Sequence, residues 1–244
     1  MIACLAAKSF INKDIYYNKK QIIETICDSS NKADLIVFGE AFLQGFDCLS
    51  WNYEEDINMA LSINDEIINE IREKAKEKSV AISFGYIEKD EENIYSSQLT
   101  IDKNGDIINN YRRVSIGWKE RKAGNNYKEG CSFYLFKYNN ISFSIGLCGD
   151  MWDDDNVNKM KELRPEVVLW PVYLDYNYNE WNNSIKYEYS IQAQRFCDKV
   201  LCVNSFCLDK DEDEIAKGGA CYFEKGKIKE ESLAGKESLL FVEI

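Results

Sequence analysis

Residues 141–152 read ISFSIGLCGDMW, an apolar run that ends at a cysteine followed by glycine and aspartate. The run predicts a buried strand, and Asn139-Asn140 between it and the apolar segment 133–138 predicts a tight hairpin. The second strand of that hairpin brings Cys148 to its C-terminal end. Because α/β sheets place their chemistry at strand ends, this stretch predicts an α/β fold with a thiol at the functional edge.

The remainder of the chain alternates between strand and helix patterns. A second hairpin is predicted around Asn104-Gly105, since Asn-Gly supplies the positive φ of a tight turn, and a third turn is predicted at Lys225-Gly226. Predicted strands cover residues 1–7, 33–38, 80–87, 94–101, 106–112, 167–170, 200–206 and 239–244. Predicted helices cover residues 17–27, 54–78, 156–163 and 180–198. Hairpins mixed with strand-helix-strand units favour layered α/β architecture.

Composition narrows the class of protein. The 244 residues are 45% hydrophobic, which suffices for one well-buried core, so we expect a single domain over residues 1–244. Neither a long apolar segment nor a leader pattern stands out, and we expect a soluble protein that is not secreted and has no membrane partner. The net charge of −12 argues against a nucleic-acid partner.

The sequence has nine cysteines, an odd number, which suggests reduced thiols in the cytoplasm. The acidic run 209–214 is interpreted as a solvated loop.

The sequence contains no histidine. This excludes Cys-His and Ser-His-Asp machinery and leaves carboxylates, Lys, Tyr or Cys to move protons. The spacing of Cys197, Cys202 and Cys207 lacks a CxxC pair, so no metal site is predicted.

Three chemically competent side chains each follow an apolar strand. Glu40 follows LIVFG, Arg113 follows IINNYR and Cys148 follows FSIGL. A cysteine is more often a small core residue than a nucleophile, and a buried Arg113 would equally serve as an ion-pair partner of Glu40 or Glu120. Strand ends that converge would instead assemble a nucleophile, a base and a cation.

In this arrangement the chain resembles the nitrilase superfamily, whose members carry a Glu, a Lys and a Cys at such positions. The resemblance rests on ADLIVFGEAFLQGF (33–46), IYSSQLTIDKNGDIINNYRR (94–113), SIGLCGDMW (144–152) and the later strands VVLWPVY, CVNSF and GGACYFEKGKI. It covers nearly the whole chain. It departs from the family at Arg113, where Lys is expected.

The resemblance implies a four-layer α-β-β-α sandwich and a hydrolase of small non-peptide carbon-nitrogen bonds, with amide or carbamoyl substrates favoured over nitriles. It implies a Cys148 thioester, Glu40 as general base, Arg113 as cation, Glu120 as a second acid, the Gly149 backbone N–H as oxyanion donor, and no cofactor. It also implies a homodimer or larger homo-oligomer. Trp118, Trp152 and Tyr173 are candidate pocket residues, although aromatic residues in such places are as often core.

The exchange of Lys for Arg leaves alternatives open. A guanidinium stabilises an oxyanion but cannot shuttle a proton, so Lys119 or Lys122 would have to supply an ammonium if one is required. The competing hypothesis is a catalytically silent member that binds a ligand or serves assembly. A redox-sensing thiol is a third, weaker interpretation.

Overall fold

The computed structural model describes residues 1–209 and 215–244; most of the predicted acidic loop therefore lies outside the described residues. In chain order the strands are β1 (Ile2–Ala7), β2 (Ser9–Phe10), β3 (Leu35–Phe38), β4 (Ala81–Asp90), β5 (Asn93–Ile101), β6 (Ile107–Arg112), β7 (Phe136–Tyr138), β8 (Ile141–Ile145), β9 (Val167–Val172), β10 (Lys199–Asn204), β11 (Phe206–Cys207), β12 (Ala220–Glu224), β13 (Lys227–Ser232) and β14 (Ser238–Glu243). The helices are α1 (Ile15–Ser29), α2 (Tyr53–Met59), α3 (Glu66–Lys78), α4 (Asp154–Leu163), α5 (Tyr178–Glu180) and α6 (Lys186–Gln194).

Two six-stranded sheets form the centre of the molecule. Their strand orders are β14-β1-β3-β4-β5-β6 and β13-β12-β10-β9-β8-β7. In each sheet the central pairs are parallel and the outer pairs antiparallel, as in β1 with β3 and β1 with β14. Each sheet therefore combines strand-helix-strand units with hairpins, which confirms the layered α/β prediction.

The apolar side chains divide into layers. Alternate residues of β1 point to opposite sides: Leu5 joins a core shared by the two sheets, whereas Cys4 joins a core with helices α1 and α3. Apolar residues of α4 and α6, such as Met160 and Tyr189, cover the second sheet. The result is the expected four-layer α-β-β-α sandwich. None of the described helices has the length and apolar character needed to cross a membrane.

The prediction of one helix over residues 54–78 was wrong. The chain forms α2 and α3 instead, because Leu61 between them leaves the helix and bonds with the edge of β4: its N–H donates to the Ile87 carbonyl at 3.0 Å, and the Lys89 N–H donates to its carbonyl at 2.9 Å. Asp65 then caps the new helix by accepting from the Ile67 N–H at 3.0 Å.

The predicted helix over residues 180–198 also differs from the structure. It begins earlier, at α5, passes through a π-helical turn at Trp181–Ile185 and ends at Gln194. The three predicted hairpin turns are present, and their positive φ angles include 82° at Gly105, 63° at Asn140 and 72° at Gly226.

Candidate active site

Glu40, Arg113 and Cys148 meet between the two sheets, because each side chain follows a strand. Glu40 follows β3, Arg113 follows β6 and Cys148 follows β8. Glu40 and Arg113 are almost fully buried, whereas Cys148 is partly accessible. The structure thus brings together three of the four residues for which a catalytic role is predicted.

The charged pair at this site is fixed by short contacts. Arg113 Nη1 lies 2.8 Å from Glu40 Oε1, and its Nε donates to Ser115 Oγ at 2.9 Å. The Ser96 hydroxyl donates to the same Glu40 oxygen at 3.2 Å. A buried ion pair with further hydrogen bonds holds its geometry even though desolvation offsets much of its Coulomb energy.

The second carboxylate oxygen of Glu40 is different. Oε2 is buried and has no hydrogen-bond partner among the described residues. Buried polar atoms are nearly always paired in native proteins, and a catalytic role is one of the reasons for which an atom stays unpaired. Glu40 therefore keeps one oxygen free to accept a proton.

Cys148 is held in a strained backbone conformation. Its φ is +41°, a left-handed value that non-glycine residues rarely adopt. The Trp170 indole N–H donates to the Cys148 carbonyl at 2.9 Å, and the thiol lies 3.6 Å from the Tyr173 carbonyl oxygen. These contacts fix both the main chain and the side chain of the cysteine.

The charges around the thiol act in opposite directions. Burial raises the pKa of Cys148 to about 12; the negative charge of Glu40 also raises it, and the positive charge of Arg113 lowers it. Burial lowers the pKa of Arg113, but the charges of Glu40 and Cys148 outweigh that effect and raise it above its ordinary value. At neutral pH the site therefore holds a neutral thiol next to a fixed cation.

The turn that carries Cys148 is fastened by Asp150. Its Oδ2 accepts from the Tyr111 hydroxyl at 2.6 Å and from the Leu147 N–H at 2.9 Å. Its Oδ1 accepts from the Ser115 N–H at 2.8 Å and from the Val114 N–H at 3.2 Å. One buried carboxylate thus joins the turn after β8 to the segment after β6.

The remaining charged candidates are Glu120, Lys119 and Lys122, and each of them has a partner outside the cluster of Glu40, Arg113 and Cys148. Glu120 is not drawn to the thiol: its carboxylate is 59% exposed and pairs with Lys122 at 3.4 Å. Lys119 Nζ donates to the Tyr127 carbonyl at 3.0 Å and pairs with Glu129. Both lysines thus have carboxylate partners of their own, and the role assigned to Glu120 stays a prediction.

The aromatic candidates have different surroundings. Trp118 is buried, and with Glu120 and Gly117 it lines a hollow of about 240 Å³. Tyr173 stacks on Phe46 and donates its hydroxyl to Asp47, which lines the same hollow, at 2.8 Å. Trp152 is half exposed and lies against Trp170 and Tyr189. Their contact with a substrate stays a prediction.

Sequence reasoning missed the serines of the site. Ser96 lies inside β5 and Ser115 in the segment after β6; the motif over residues 94–113 points to Arg113 at its end and predicts no role for either serine. Asp150 carried a signal, because a carboxylate directly after the buried cysteine segment needs hydrogen-bond partners. Its partners are set by how the two sheets meet, which local pattern does not show.

Sequence similarity links this chain to known proteins. The sequence model of the family "Carbon-nitrogen hydrolase" matches residues 3–244. A cyanide hydratase of Botryotinia fuckeliana (strain T4) is 25% identical over 177 residues, which are 66% of this chain and 46% of that protein. An aliphatic nitrilase of Rhodococcus rhodochrous is 25% identical over 194 residues, 69% of this chain and 48% of that protein. The chain spans about half the length of these two relatives.

Solved structures share the fold. An amidase from Nesterenkonia sp. superposes with a TM-score of 0.80 at 15% identity, covering 100% of this chain and 90% of that one. Glutamine-dependent NAD+ synthetase from Acinetobacter baumannii gives a TM-score of 0.76 at 20% identity, covering 98% of this chain and 44% of that one. A mutant of the Nesterenkonia sp. AN1 amidase carries the acetamide moiety of fluoroacetamide covalently added at its active-site cysteine.

Proposed function

Because the chain belongs to the carbon-nitrogen hydrolase family, we propose that it hydrolyses a small amide or carbamoyl compound through a thioester on Cys148. The observation that carries the proposal is the buried, unpartnered Oε2 of Glu40 in a site that also holds a thiol and a guanidinium. A raised thiol pKa means that a base must remove the proton as the sulfur attacks.

The proposed reaction begins with proton transfer from Cys148 to Glu40 while sulfur attacks the carbonyl carbon. The oxyanion that forms is stabilised by Arg113 and the Gly149 N–H. Collapse of this intermediate breaks the carbon-nitrogen bond, and Glu40 returns its proton to the leaving ammonia or amine. Glu40 next deprotonates a water that attacks the thioester, and the released thiolate recovers the proton as the acid departs.

Arg113 favours an amide over a nitrile in this scheme. Attack on a nitrile places negative charge on nitrogen, which must then gain a proton from a neighbouring acid. A guanidinium is effectively never neutral and does not donate that proton, so the proton would have to come from the protonated Glu40. Attack on an amide places the charge on oxygen, which needs stabilisation only. The acetamide adduct in the mutant of the Nesterenkonia amidase forms at the active-site cysteine of that protein, which supports the assignment of Cys148 as the nucleophile here.

The test is ammonia release from a panel of small amides, carbamoyl compounds and nitriles by the wild-type protein, Cys148→Ala and Glu40→Gln, with Cys131→Ala as the control for loss of an exposed cysteine. We expect release by the wild type and the control only, with amides or carbamoyl compounds preferred. Intact-protein mass spectrometry should show an acyl adduct on Cys148. If no compound is hydrolysed and none leaves an adduct, the silent ligand-binding member becomes the better interpretation.

A further inference from the structure

One nitrogen of the Arg113 guanidinium, Nη2, has no partner in the part of the chain that the structure describes. Nη1 bonds with Glu40 and Nε with Ser115, whereas Nη2 makes no hydrogen bond to the described residues. Arginine presents its donors in a rigid fork, so fixing Nε and Nη1 also fixes the direction of Nη2. The free nitrogen is therefore held in one place by contacts at the other two.

That place lies directly over Gly149. A Cβ built on Gly149 would be 2.7 Å from Arg113 Nη2 and 3.4 Å from Ser115 Oγ. Real Cβ atoms do not approach other atoms as closely as 2.7 Å, so a side chain here would require the guanidinium to move. Arg113 is 3% exposed and bonded at two nitrogens, so it has little room to do so.

We propose that Arg113 works at this site only as part of a unit with Gly149 and Ser115. Gly149 leaves the volume that Nη2 occupies next to the nucleophile, and Ser115 is a positioning residue that aims Nη2 at the oxyanion. The Ser115 main chain is in turn fixed by Asp150, which accepts from its N–H at 2.8 Å. The proposal rests on the proposed hydrolysis and identifies what lets an arginine replace the lysine expected there.

If the three residues act as a unit, the effect of a substitution at Gly149 should depend on which residue stands at position 113. A purely structural role of Gly149 does not predict this dependence. In the wild type, Gly149→Ala keeps the backbone N–H but displaces Nη2, and a misplaced oxyanion donor costs roughly 10- to 100-fold in kcat. In an Arg113→Lys background there is no Nη2 to displace, so the same change should lower kcat several-fold less than in the wild type, which is the non-additivity expected of two residues in contact.

Ser115 is tested in the same way. Ser115→Ala should lower kcat with little change in KM, because an oxyanion contact exists only in the transition state. Ser115→Thr keeps the hydroxyl and should restore activity. Neither change should matter in the Arg113→Lys background, since lysine has no Nε. Gly124→Ala is the matched glycine control, because a Cβ there meets nothing within 4 Å.

A readout that does not require a substrate separates this inference from the proposed function. The Arg113 charge lowers the pKa of Cys148, so displacing it by Gly149→Ala should move the pH profile of Cys148 alkylation by iodoacetamide upward in the Arg113 protein, and should leave it in place in the Arg113→Lys protein. If no amide is hydrolysed but this difference is found, the unit stands and the proposed hydrolysis fails. Equal effects of Gly149→Ala in both backgrounds, on kcat and on the profile, overturn the unit, and thermal melting of every variant identifies those that fail to fold.

Discussion

The Tyr111 hydroxyl donates to Asp150 Oδ2 at 2.6 Å and so joins the first sheet to the turn that carries Cys148. Tyr111 lies in β6 of the first sheet, whereas Asp150 follows β8 of the second sheet. Asp150 also accepts three backbone N–H bonds, from Leu147, Val114 and Ser115. This carboxylate therefore sets the distance between the nucleophile and the segment that carries Arg113.

Asp150→Asn should damage both stability and activity. The amide nitrogen of asparagine is a donor and would face N–H groups that now have an acceptor, which leaves buried donors unpaired. We expect a loss of about 2–4 kcal/mol in the free energy of unfolding, since each unpaired buried group costs roughly 1–3 kcal/mol. Urea unfolding followed by circular dichroism measures it.

Tyr111→Phe is a milder change in the same network, because it removes one donor to Asp150 and leaves the other three in place. It should cost about 1.5–2 kcal/mol, at the lower end of the range for one hydrogen bond to a charged group. An Asp150→Asn protein as stable as Tyr111→Phe would contradict the role assigned to the carboxylate.

Removing the charge of Glu40 should lower the pKa of the Cys148 thiol and yet abolish turnover. Glu40 raises the pKa of Cys148 and Arg113 lowers it. Glu40→Gln removes the first effect and keeps an oxygen that can accept from Arg113, so the pKa of Cys148 should fall below about 12. The variant should form thiolate at lower pH and yet lose hydrolysis, because it has no base.

Alkylation by iodoacetamide at a series of pH values, followed by peptide mass spectrometry, measures this shift. Arg113→Met should move the profile upward, and the exposed Cys131 in the same samples is the internal reference. An upward shift in Glu40→Gln would show that Glu40 does not act on the thiol through its charge.

Gly85 in β4 controls where Glu40 lies. A Cβ on Gly85 would be 2.2 Å from the Ala41 nitrogen and 2.7 Å from the Glu40 carbonyl carbon. Both are backbone atoms, so Gly85→Ala must push the segment that carries Glu40. We expect a loss of about 1–3 kcal/mol in stability, as for other overpacked sites, and at least a tenfold loss of amide hydrolysis, as for a misplaced catalytic group.

Urea midpoints and ammonia release measure the two effects, with Gly124→Ala as the control in open space. Full activity in Gly85→Ala would mean that the position of Glu40 tolerates the shift, and the proposed base would then be in doubt.

Much of this arrangement could be predicted from the sequence, and the exceptions have a common cause. The hairpin at Asn139-Asn140 and the strand before Cys148 follow from local pattern, because turn residues and apolar runs act within a few positions. The break at Leu61 was missed because it depends on a bond with β4, more than 20 residues away along the chain. Periodicity alone does not detect such a bond.

The same distinction applies within the site. Glu40, Arg113 and Cys148 could be predicted because each directly follows an apolar strand. Ser96 could not, because it contacts Glu40 only after β4 pairs with β3 on one side and with β5 on the other. The free nitrogen over Gly149 depends on a close approach between two sheets, and this too has no local sequence pattern.

Buried thiols should make the protein less stable at high pH. Burial raises the pKa of Cys4 and of Cys221 to about 12, from an ordinary value of 9.0. Above pH 9 the unfolded chain loses these protons, whereas the folded protein keeps them until the pH approaches 12. The folded state then binds more protons than the unfolded state, so the free energy of unfolding falls as the pH rises through this window. Urea midpoints at about pH 8 and about pH 10, roughly one unit below and one unit above the ordinary thiol pKa of 9.0, should show the lower value at the higher pH. In a Cys4→Ala/Cys221→Ala protein the difference between the two midpoints should shrink, whatever the substitutions do to stability at pH 8. A difference that stays unchanged in the double variant would assign the alkaline loss to other groups, such as the buried tyrosines.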